Sequence, residues 1–280
     1  MATHLVWFRN DLRLTDNLAL HAACQDPQAI VMAVFIATPA QWAAHDMAPR
    51  QAAFLLQNLQ LLQSALAERG IPLHYHQCDD FKDSITWLND FCQQQPVDAL
   101  FYNQQYELNE RVRDEALMAQ LSQRAIACHG FHDSVLLPPG TVLTGNNEMY
   151  KVFTPFRRAF IQRLMMSDCR SVPAPKARTT AAVTPSQPLA PFDYPQQPVD
   201  NQLFPAGKRR RYSVCAVFVA RMLRTISSNA ISPRSRAPVA CHLIWHWGFF
   251  HPVNVLIVCE PNVRICWKMS RAGPLFGLMN

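Results

Sequence analysis

At 280 residues, 49% of them apolar, the chain is long enough for one large domain or two small ones and can bury a substantial core. Its formal net charge of +6 is unevenly distributed, with 15 Lys and Arg against 19 Asp and Glu in residues 1–205 but 11 against Glu260 alone in residues 206–280. Halves of opposite sign imply either a basic interaction tail or a segment not selected as protein. Charged residues near the N-terminus exclude a signal peptide, and His242, His246, His251, Pro252 and Asn254 break the apolar stretch 238–259, which argues against a membrane span. Nine scattered cysteines, without a CxxC pair or zinc-type His/Cys spacing, read as reduced core thiols of a cytoplasmic protein with no metal site.

In chain order, Leu5–Phe8, Ile30–Ile36, Leu73–His76, Ala99–Tyr102 and Ile126–Phe131 read as strands. Several are continuous apolar runs, the pattern of parallel strands covered on both faces. Helical stretches alternate with them near 17–24, 84–94 and 109–124, and the clearest carries Leu55, Leu59, Leu62 and Leu66 between Pro49 and Gly70. This alternation predicts an α/β fold, a Rossmann-like, doubly wound, five-stranded parallel sheet. A further helix is expected at Thr154–Pro155, capped by the threonine and opened by the proline, with Phe156, Phe160 and Leu164 as its apolar stripe. Eight prolines between Ser171 and Pro205 predict an extended linker running over a surface.

No glycine-rich turn follows the first strand and no P-loop is present, which counts against a nucleotide gripped by its phosphates. Neither a G-x-S-x-G elbow nor an HExxH motif occurs. Ligands of open parallel sheets lie beyond the carboxyl ends of the strands, so the loops there are the candidates. Arg9, Asp11 and Arg13 follow the first strand and read as a partly buried ion-pair network, with an anion or cofactor contact as the alternative. His45 follows the second strand, and Asn109 and Glu110 follow the fourth; the two loops should share one rim. A carboxylate can accept two hydrogen bonds from the N–H and amino group of a pterin-like ring, and an asparagine can serve the adjacent edge. An acidic first helical turn that compensates the helix dipole is the competing reading of Glu110.

The opening W-F-R-x-D-L-R-x-x-D-N, residues 7–17, resembles the start of the DNA photolyase/cryptochrome family. Tyr106-Glu107-Leu108-Asn109-Glu110-Arg111, the loop Thr38-Pro39-Ala40-Gln41-Trp42, the run from Asp133 to Gly140 and Met149-Tyr150-Lys151-Val152-Phe153-Thr154-Pro155-Phe156 extend that resemblance over residues 1–205. It is strongest to bacterial class I cyclobutane-pyrimidine-dimer photolyases. The resemblance implies that His45, Asn109 and Glu110 hold a 5,10-methenyltetrahydrofolate antenna. It also implies excitation transfer to a reduced FAD in a separate helical domain, which repairs dimers in UV-damaged DNA by electron donation. Arg9, Asp11 and Arg13 take a structural or interdomain role on this view, and catalytic residues belong to the other domain.

After Phe204-Pro205 the family pattern stops and Lys208-Arg209-Arg210-Arg211 begins the basic segment. Reading Ile231–Asn254 one frame over, from the third base of each codon and the first two of the next, permits D-F-P-A-I-A-G-T-S-R-L-S-P-Y-L-A-L-G-V-L-S-P-R-Q. That string resembles the start of the family's FAD domain. The chain is therefore expected to comprise an antenna domain (1–135), a family-like loop and helix (136–170), the Pro-rich linker (171–205) and an out-of-frame, disordered tail (206–280). It is expected to be a monomer with weakened folate binding, no FAD site, no repair activity of its own and at most non-specific DNA contact through the tail. The rival readings are a cryptochrome-like photoreceptor fragment and a generic nucleotide-binding α/β module with a basic nucleic-acid arm.

Overall fold

The computed structural model describes residues 1–167, 171–178 and 189–207. Residues 208–280 of the tail expected over 206–280 therefore lie outside the described residues, as do 168–170 and 179–188. Strands β1 (Thr3–Phe8), β2 (Ile30–Ala37), β3 (Leu73–Gln77), β4 (Ala99–Asn103) and β5 (Ala127–Phe131) form one parallel sheet in the order β3-β2-β1-β4-β5. Between them lie helices α1 (Leu18–Ala23), α2 (Pro39–Ala44), α3 (Pro49–Ala67), α4 (Phe81–Gln94) and α5 (Leu108–Ser122), followed by α6 (Phe153–Met166). The architecture is the doubly wound α/β sheet that the alternation predicts.

Period-two alternation sorts the strand side chains into two layers. Val6, Phe8, Ala33 and Phe35 pack with Ala19 and Leu20 of α1 and with Leu55, Leu59, Leu62 and Leu66 of α3. Leu5, Trp7, Met32 and Val34 face the opposite side, against Ile85 and Leu88 of α4 and Leu117 and Leu121 of α5. Burial on both faces holds for the inner strands β1, β2 and β4; β3 and β5 are edges and only partly covered. Helix α4 starts three residues before the expected position because the Asp80 carboxylate accepts the Asp83 N–H and caps it.

Helix α6 departs from expectation. It begins at Phe153 with Val152 as N-cap and no side-chain cap, so Thr154 and Pro155 lie inside its first turn. Pro155 is tolerated there because first-turn N–H groups have no intrahelical acceptor. Phe156, Phe160 and Leu164 are half-buried, and no residue of the helix is fully covered.

The described parts of the Pro-rich linker, 171–178 and 189–205, are tied down as a strap. Val172 exchanges hydrogen bonds with Asp16, its N–H to the Asp16 carboxylate at 3.0 Å and its carbonyl to the Asp16 N–H at 2.8 Å. The Arg178 guanidinium donates to the carbonyls of Cys24, Asp26 and Ala29. Farther on, Leu189 and Phe192 are buried in the α1/α3 layer, 8% and 4% exposed. An extended segment without periodicity thus supplies two core residues.

Candidate functional site

The sheet order reverses at β1, so the carboxyl ends of β1 and β4 flank the position where doubly wound folds commonly bind ligands. Here that position is filled by the protein's own charged side chains. Arg9 Nη1 lies 2.7 Å from the Asp114 carboxylate and 3.3 Å from Gln105 Oε1. Arg113 reaches the same two residues at 2.8 and 2.9 Å. Asp11 accepts from the Arg9 N–H at 2.9 Å and from the amides of Asn17 and Asn103. Arg13 pairs with Asp133, whose second oxygen accepts the Leu18 N–H at the start of α1.

Arg9, Asp11 and Arg13 are all buried, but their side chains do not pair with one another as alternating charges suggest. The counter-charges for the arginines come from residues 105 and 120 positions away. The aromatic surroundings add to this: Arg9 lies over Trp7 and Tyr102 at 4.4 and 4.8 Å, and Arg113 over Trp7 and Phe81, each at 4.6 Å. Trp7 and Tyr102 thus face the Arg9 guanidinium, whose Nε and Nη2 lack hydrogen-bond acceptors. Burial and the neighbouring Arg9 charge lower the Arg113 pKa to about 10, still protonated at neutral pH. Burial likewise pushes the Asp133 carboxyl up, against the opposing pull of Arg13.

The rim above this network carries the candidate ligand contacts. Thr38 to His45 follow β2 as the short helix α2, and His45 is its exposed C-cap. Gln104 to Asn109 follow β4 into α5, so the two loops flank the end of β1. His45 Nε2 lies 3.4 Å from Asn109 Nδ2 and 2.8 Å from Gln41 Nε2. Two amide donors aimed at Nε2 make it the acceptor and leave the ring proton on Nδ1. Glu110, half-buried in the first turn of α5, has no hydrogen-bond or ion-pair partner among the described residues. Its carboxylate retains its full accepting capacity.

Each loop is pinned from behind. Tyr106 Oη sits 2.8 Å from His132 Nδ1 and their rings are parallel, which fastens the Asn109 loop to the end of β5. Burial drives the Tyr106 hydroxyl up to about 12, so it stays protonated. Trp42 of α2 meets Phe192 and Tyr194 of the strap edge-on at 5.0 and 5.8 Å. Asn17, Trp42 and Tyr106 stand in the motifs that carry the family resemblance, but their supporting contacts were not legible there, and the partners Asn103, Gln105, Arg113, Asp114, His132, Phe192 and Tyr194 were missed. At Asn103 the local signal was an asparagine closing an otherwise apolar strand.

The sequence profile of the DNA photolyase family matches residues 4–177, and the chain belongs to that family. It is similar to the deoxyribodipyrimidine photo-lyases of Salmonella typhimurium, 57% identical over 207 residues, and Escherichia coli, 51% identical over 209. Those alignments cover 73% and 75% of this chain but 43% and 44% of the relatives, so the chain matches less than half of their length. Two solved structures share the fold: a class III photolyase from Agrobacterium tumefaciens at 24% identity and a Synechocystis cryptochrome at 23%, both with a TM-score of 0.71. Each covers 90% of this chain, and the chain covers 52% and 54% of them respectively.

Proposed function

We propose that this chain is the light-harvesting part of a deoxyribodipyrimidine photo-lyase and that His45, Asn109 and Glu110 hold a folate antenna, 5,10-methenyltetrahydrofolate. The approach of His45 to Asn109, 3.4 Å across two loops 64 residues apart, with the unpaired Glu110 carboxylate alongside, carries this reading. The donor set fits a pterin ring. Glu110 accepts from the ring N–H and amino group, Asn109 serves the next edge, and the exposed imidazole of His45 offers a flat face. A bound folate would absorb near-ultraviolet light and pass the excitation to a flavin. The protein's own task is to fix the ring's position and orientation, which the buried network beneath the rim and the pinned loops support.

In this proposal the adjacent frame over residues 206–280 encodes the start of the FAD domain, in place of the basic residues of this chain. The chain as translated then repairs no dimers, binds folate more weakly than an intact enzyme would, and attracts DNA at most non-specifically through its basic residues. It acts as a cytoplasmic monomer. Equal TM-scores to a photolyase and a cryptochrome leave the fold neutral between repair and photosensing, whereas the 57% and 51% identities are to photo-lyases and favour repair.

The test is to illuminate UV-irradiated DNA with the purified chain, FAD and folate, alongside a chain whose frame is restored after Pro205. Dimer loss only with the restored frame is expected. Dimer removal by the chain as translated contradicts the proposal, and so does resequenced coding DNA that offers no open frame with the G-T-S-R-L-S segment.

A further inference from the structure

We propose that Phe192 and Tyr194 of the strap are positioning residues that clamp the His45 loop in place. Helix α2 has six residues and none is fully buried, so the helix carries little anchorage of its own. At its N-terminal end the Ala40 and Gln41 N–H groups donate to the Asp79 carbonyl at 3.1 and 3.3 Å. The other end, where His45 sits, is held by the strap.

Phe192, 4% exposed, stands between the Trp42 indole at 5.0 Å and the rings of Phe35 and Tyr75 at 6.4 and 6.2 Å. It therefore links α2 to strands β2 and β3. Tyr194 packs edge-on against Trp42 at 5.8 Å and donates its hydroxyl to the Met47 carbonyl. The N–H groups of His45 and Met47 both return to the Trp42 carbonyl, at 3.2 and 3.0 Å. Residues 42–47 thus form a closed turn gripped by the strap at each end, with His45 inside it. Asp46 turns the chain there with φ of 52°, a conformation that Asp tolerates better than most residues.

The strap is anchored within this grip and just beyond it. The Asp193 N–H donates to Gln77 Oε1 at 3.0 Å, and the Gln197 N–H to the Pro49 carbonyl at 3.3 Å. A pull on the strap therefore reaches the imidazole through a short relay of packed rings and hydrogen bonds. Asn109 belongs to the other loop and makes no hydrogen bond to the strap among the described residues, so the clamp governs the spacing between the two loops.

The experiment uses the full chain with Tyr194→Phe, which keeps the ring and removes the hydroxyl, and Phe192→Leu, which keeps apolar bulk and removes the ring edge. One readout is amide hydrogen exchange at His45 and Met47 relative to the amides of α3; the other is affinity for 5,10-methenyltetrahydrofolate. Only the second readout rests on the folate reading.

Exchange at His45 and Met47 should rise about tenfold in Tyr194→Phe while α3 is unchanged, the scale expected for losing one intramolecular hydrogen bond. Folate affinity should fall about fivefold with it. Unchanged exchange at His45 and Met47 in both variants overturns the clamp, as does an equal rise throughout α3 in Tyr194→Phe. Undiminished folate binding despite faster exchange overturns the positioning role. A wild-type chain that binds no folate, yet shows the local exchange response, retains the clamp and removes the folate reading.

Discussion

Gly70 and Arg178 meet backbone to backbone: the Arg178 carbonyl occupies the space a Cβ on Gly70 would need, and Gly70 adopts a φ of +70°. The Arg178 N–H donates to the neighbouring Arg69 carbonyl at 3.0 Å, so the strap crosses the α3–β3 turn at its tightest point. Only glycine meets both demands at this position. Gly70→Ala should therefore destabilise the protein by roughly 1–3 kcal/mol, through the left-handed backbone and the clash together. Urea unfolding measures the loss, and a variant with an unshifted midpoint contradicts the contact.

Asp114 is the shared counter-charge of two buried arginines. Asp114→Asn keeps the shape but leaves Arg9 and Arg113 facing each other with no carboxylate between them. Removing one member of a buried ion-pair set costs about 3–5 kcal/mol. Thermal unfolding of the variant should show a drop of many degrees, and a change no larger than that of a surface substitution contradicts the network's role.

The domain should lose stability in alkali. Burial pushes the Cys92 thiol up to about 12 and Cys24 to about 11, in each case above the ordinary value of 9.0. The unfolded chain releases these protons first, so between pH 9 and 12 it binds fewer protons than the folded form. Their contribution is complete below pH 9 and declines as the pH rises through the folded values. Denaturant midpoints measured from pH 7 to 11 should fall above pH 9, and Cys92→Ala should flatten that slope. A slope untouched by the substitution contradicts the assignment.

What the sequence made legible follows from how local each determinant is. Strands β1, β2 and β4 are buried on both faces and announce themselves as apolar runs, and α3 does so through Leu55, Leu59, Leu62 and Leu66. Helix α2 left no such trace, since a six-residue helix with no buried position has no apolar stripe. Motifs identified the rim residues His45, Asn109 and Glu110, but the contacts beneath them are long-range. Nothing near Arg13 points to Asp133, 120 residues later. Nothing in a Pro-rich stretch announces that Phe192 completes the core beside Phe35, because a strap has no periodicity to read.

The central claim is the folate site, and titration of the chain with 5,10-methenyltetrahydrofolate, followed by its near-ultraviolet absorbance, tests it most directly when wild type is compared with Glu110→Gln. The substitution would remove the carboxylate proposed as the bidentate, charge-assisted acceptor without altering shape. Saturable binding by the wild type is predicted, with affinity at least about tenfold lower in the variant, the scale of one charged hydrogen bond. Binding of equal strength in the two proteins, or none in the wild type, would contradict the account.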